Sequence, residues 1–154
     1  MDAPIIFASI SALIVIVALA IGTYQDIKTR HAEIWVWRVT APFAVVATLL
    51  WYGATLMYGD PVIALIAFGT SVVLCPFCVY MGFRMGNGGD WRALFYISLL
   101  TPWLAPLAMI CSAIFGFVQI TIDVIRFNRP DYNSPWMVAI TAAFLVSLSA
   151  YIFI

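Results

Sequence analysis

The stretch "ALFYISLLTPWLAPLAMICSAIFGFVQITI", residues 93–122, decides the fold. It carries no formal charge and is longer than the roughly 20 apolar residues a helix needs to cross a bilayer. Crossed once, it would carry Arg126 and Arg129 to the side opposite Arg84 and Arg92. Broken at "TPWLAP" (101–106), it crosses twice and brings them back to the same side. Pro102 and Pro106 favour the break, because proline removes a helical donor and clashes with the preceding turn.

Four further uncharged runs, 3–25, 39–59, 61–83 and 132–154, surround this one, and each is long enough for one crossing. Of 154 residues, 65% are hydrophobic and 9% charged, and the mean hydropathy is +1.06, values outside the soluble globular range. The basic residues are Lys28, Arg30, Arg38, Arg84, Arg92, Arg126 and Arg129. Such residues collect on the cytoplasmic side of span ends. An N-terminus outside and a break at 101–106 put all seven there. The predicted fold is all-α: a polytopic protein of the cytoplasmic membrane with six transmembrane segments. The fourth segment, about 91–102, is short or partly inserted. Residues 1–154 form one integral-membrane domain without a soluble domain. Residues 3–25 read as a retained span, since no Lys or Arg precedes Lys28 and Asp2 stands where a signal peptide is basic.

Several classes of function drop out. A net charge of zero argues against a strongly basic nucleic-acid binder. Cys75, Cys78 and Cys111 make no disulfide framework. The "CPFC" at 75–78 lies inside an apolar run, lacks two further zinc ligands, and reads as core packing around a kink at Pro76. There is no HExxH and no Walker loop. The single histidine, His31, reads as an interfacial, solvated residue.

The acidic residues are more telling. The layout puts Asp26, Glu33, Asp90, Asp123 and Asp131 at the cytoplasmic side and only Asp2 and Asp60 outside. Asp26 closes the first span in "TYQDIKTRHAEIW"; it reads either as an interfacial partner of Arg30 one turn on or as a functional carboxylate opposing the helix dipole. Asp90 follows Gly86, Gly88 and Gly89 in "MGNGGDWRAL" (85–94). It reads either as a helix N-cap or as a working carboxylate beside a backbone that glycine leaves free for motion or close approach. Two carboxyls held close cannot both ionise comfortably, so one keeps its proton. Such a pair can activate a water and protonate the tetrahedral intermediate of peptide hydrolysis without metal or cofactor.

At these residues the chain resembles the type IV prepilin peptidases and archaeal preflagellin peptidases, membrane aspartic proteases of the GxGD type. Asp26-Ile27-Lys28-Thr29-Arg30, followed by Glu33, Trp35 and Trp37, is similar to the motif around the family's first aspartate. Gly88-Gly89-Asp90-Trp91-Arg92-Ala93-Leu94 is similar to the archaeal pattern around the second. "SPWMVAITAAFL" resembles the family's last span. Asn87 stands at the first glycine of GxGD, with Gly86 one residue earlier, and "HAEI" replaces the usual proline after the first motif.

The resemblance implies an aspartic endopeptidase with Asp26 and Asp90 as its dyad. Gly86, Gly88, Gly89, Lys28, Arg30 and Arg92 would shape the substrate loop. The substrate would be a pilin- or flagellin-like precursor with a class III signal peptide, cut at the cytoplasmic face. Its basic leader would be attracted by Glu33, Asp123 and Asp131, unless these serve local pairs such as Asp123 with Arg126. The methyltransferase region of bacterial relatives is absent, so peptidase activity without N-methylation is expected. A different class fits the same carboxylates: a small proton- or cation-coupled transporter, though no internal repeat supports it. An inactive scaffold subunit is the third reading.

Overall fold

Thr101 and Pro102 end one helix and allow the next to begin. The Thr101 amide and its Oγ1 both donate to the Ile97 carbonyl, each at 3.0 Å. The Thr101 carbonyl in turn accepts from Leu104 at 2.9 Å and Ala105 at 3.1 Å. The break expected at 101–106 therefore falls at 101–104. The computed structural model describes residues 3–29, 34–85, 88–127 and 136–153. They form six α-helices: α1 (Ala3–Thr29), α2 (Ile34–Tyr58), α3 (Pro61–Met85), α4 (Gly88–Leu100), α5 (Ala105–Phe127) and α6 (Trp136–Phe153). No strand occurs among the described residues. Arg30, His31, Glu33, Gly86, Asn87, Arg129 and Asp131 lie outside them.

Four helices are long and apolar enough to cross a membrane: α1, α2, α3 and α5. Their outward faces carry exposed Leu49, Val73, Phe83 and Phe117, among others. A surface of that kind marks a membrane-embedded protein. With 18 residues α6 reaches about 27 Å at 1.5 Å per residue, close to the hydrocarbon thickness. With 13 residues α4 reaches only about 20 Å and cannot cross.

The short helix is instead the centre of the bundle. It packs against all five others, and Ala93, Ile97, Ser98 and Leu100 are inaccessible or nearly so. Lipid tails are as apolar as leucine, so helices in a bilayer associate through close packing and interhelical hydrogen bonds. Both are present. Ala18, Ala44, Ala93, Ala105, Ala108 and Ala143 are fully buried and let backbones approach. Ser71 Oγ of α3 donates to the Ser98 carbonyl of α4 at 2.8 Å, and Tyr52 of α2 reaches Ser71 at 3.4 Å. Helix α3 runs unbroken through Pro76, with Cys75 and Cys78 as free thiols, Cys78 buried.

Candidate active site at the Asp26 end of the bundle

Helix α1 continues past the end of its uncharged run to Thr29 and so carries Asp26 into its last turn, where the side chain is buried. What buries it is the start of α6. The Met137 amide donates to Asp26 Oδ2 at 3.3 Å, one of the N–H groups a helix leaves without an internal partner. A helix N-terminus, with its positive dipole end, suits an anionic partner.

Two glycines seat that turn of α6. A Cβ on Gly22, one turn before Asp26 in α1, would lie 2.8 Å from Met137 Cε. A Cβ on Gly116 in α5 would overlap the Trp136 ring. Each glycine is thus a notch holding one side chain of the first turn of α6. Thr23 adds polar contacts from α1, with its Oγ1 2.7 Å from Thr141 Oγ1 and 3.3 Å from the Met137 carbonyl. Below them Trp37 of α2 is buried against Tyr96 of α4, ring centroids 5.0 Å apart, and the Tyr96 hydroxyl donates to the Trp37 carbonyl.

Asp90 comes to this site from α4. The helix begins at Gly88, so Asp90 is its third residue, inside the first turn rather than at the N-cap position that the sequence allowed, and Gly88 and Gly89 are helical. Trp91 anchors the turn on α3: a Cβ on Gly82 would lie 3.3 Å from Trp91 Cβ, and Phe77 packs edge-on at 6.1 Å. Asp90 lies in a helix too short to cross, and its carboxyl is pushed up to about 7, first by burial and then by the charge of Asp26. Near neutral pH the site therefore holds two carboxyls that resist ionising together.

Of the other residues singled out by sequence, Lys28 is exposed and lies over the Tyr24 ring at 5.8 Å from its centroid. Arg92 is half-buried at the edge of an α3–α4 groove, and Asp123 is half-buried on α5. The structure adds residues that sequence reasoning missed: Gly22, Thr23, Gly116, Met137 and Thr141. Only the resemblance of "SPWMVAITAAFL" to a family's last span touched that corner. Among the described residues no three potential metal-ligating side chains come together.

Compared with protein families, curated proteins and solved structures, the chain finds no match in any of the three.

Proposed function

We propose that the chain is a membrane aspartic endopeptidase of the GxGD type with Asp26 and Asp90 as its catalytic dyad. The observation that carries this reading is the coupling of the two: Asp90, held protonated up to about pH 7, feels the charge of an aspartate 64 positions away in the chain (90 − 26 = 64). The six helices serve as six membrane segments, α4 only partly inserted, with the N-terminus outside and the dyad at the cytoplasmic face.

Asp26, facing the positive end of α6, is the charged member and Asp90 the neutral one. A water between them loses a proton to Asp26 as its oxygen bonds to the scissile carbonyl carbon, while Asp90 protonates the carbonyl oxygen. Collapse of the tetrahedral intermediate returns the oxygen's proton to Asp90 and breaks the C–N bond, and Asp26 passes its proton to the departing amine. No metal or cofactor is required. The substrate is a pilin- or flagellin-like precursor with a short basic leader, drawn in by Glu33, Asp123 and Asp131. Lys28, Arg30, Arg92 and the glycines 86, 88 and 89 frame the cleft.

The test is precursor cleavage in membranes, comparing the natural chain with Asp26→Asn and Asp90→Asn at equal expression. Cleavage lost in both variants is the expected result. Cleavage surviving in either removes the dyad. No cleavage by the natural chain, with ion flux dependent on the same aspartates, replaces the peptidase with a transporter.

A further inference from the structure

We propose that the groove between α3 and α4 binds one anionic phospholipid, with its phosphate on Arg92 and an acyl chain along Val79, Phe83 and Phe95. The groove encloses about 420 Å³, within the roughly 300–1,000 Å³ typical of small-molecule sites. Its walls are apolar, with Cys78, Val79, Phe83 and Phe95 along the helices and Trp91 and Arg92 at the end nearest Asp90. Val79 is 47% and Phe83 87% exposed, so the groove opens toward the lipid that surrounds a membrane-embedded bundle.

Among the described residues Arg92 is the only charged one lining the groove, and none of them pairs with it. A guanidinium against apolar walls is costly unless an anion meets it, and its planar fork matches a phosphate. The neighbouring Trp91 is of the type that sits at headgroup level. Arg84, exposed one residue beyond Phe83, adds positive charge at the same end of α3. One occupant satisfies all of this at once. Inorganic phosphate would leave the apolar walls uncovered. The site does not depend on the peptidase reading.

The experiment reconstitutes the full chain into bilayers of phosphatidylcholine with phosphatidylglycerol, then counts retained lipids by native mass spectrometry. The natural chain is expected to keep one phosphatidylglycerol in preference to phosphatidylcholine. Arg92→Gln should weaken that preference roughly tenfold, the scale of a lost charge-assisted hydrogen bond, and Arg92→Lys should restore part of it. If Arg92→Gln fails to fold, Val79→Trp, which fills the groove and keeps the charge, should release the lipid. Equal retention of the two lipids by the natural chain overturns the site. So does a preference unchanged in Arg92→Gln or, failing that variant, in Val79→Trp.

Discussion

The two ends of the bundle use carboxylates in opposite ways. At the end where α2 meets α3, Asp60 is exposed, and its Oδ1 accepts the Val62 amide at 2.8 Å while Pro61 begins the helix. This is an aspartate satisfied by its own chain two residues on, an ordinary N-cap. At the other end Asp26 is buried and meets an amide 111 positions away, and the Asp90 carboxyl is pushed up to about 7, first by burial and then by the charge of Asp26. A carboxylate that serves local structure needs only its neighbours. One that meets a distant helix and feels the charge of a second carboxylate has been placed by the whole fold, and perturbed carboxyls of that kind cluster at functional sites.

The largest effect that could break this contrast is on activity. Asp26→Asn or Asp90→Asn should reduce precursor cleavage by roughly 10²–10⁴-fold, the range for lost acid–base catalysis. Asp60→Asn should leave it unchanged, since asparagine caps as well as aspartate. An equal loss from Asp60→Asn would erase the distinction between the two ends.

Next come the glycine notches. Gly116→Ala should cost about 1–3 kcal/mol through overpacking against the rigid Trp136 ring, and Gly22→Ala less, because Met137 Cε is the end of a flexible side chain, both read as lowered thermal unfolding in detergent. Gly53→Ala and Gly69→Ala are the controls, since a Cβ at either meets nothing within 4 Å, and both should be neutral or slightly stabilising. Four equal responses would mean that α6 is not seated as described.

The pH dependence sharpens the account of Asp90. In the proposed mechanism the acid is the protonated form of Asp90, so cleavage should fall as pH rises through about 7. Stability follows a parallel sign. An unfolded aspartate releases its proton near about pH 4, whereas folded Asp90 keeps it to about 7. Between those values the folded chain binds the extra proton and loses stability as pH rises. Asp90→Asn should therefore abolish cleavage and yet raise the unfolding temperature at pH 8 more than at pH 5. The smallest effect belongs to the ordinary end: Asp60→Ala should cost about 1 kcal/mol through the lost cap, with cleavage intact.

Much of this architecture was legible in the chain. The prolines of 101–106 marked the break between α4 and α5, and the uncharged runs marked the long helices, because both are local properties. The loop glycines were misjudged in part: Gly88 and Gly89 lie inside α4, since a helix boundary shifts by a residue or two without any change of pattern. The central burial of α4 and the seat of Asp26 were not legible. Gly22 and Gly116 matter only because Met137 and Trp136 fill the space beside them, and no local pattern encodes a partner on another helix. Sequence led only to the expectation that Asp26 and Asp90 lie on one membrane face, whereas the packing of α6 and α4 buries Asp26 and brings Asp90 within reach of its charge.

That sharing is most directly tested by titrating Asp90 itself, by carbon-13 NMR or infrared carboxyl bands, in the natural chain and in Asp26→Asn. The account predicts protonation near pH 7 in the natural chain, moving toward the ordinary aspartate range once Asp26 is neutral. An Asp90 that titrates as an ordinary exposed carboxyl and ignores Asp26→Asn would contradict it.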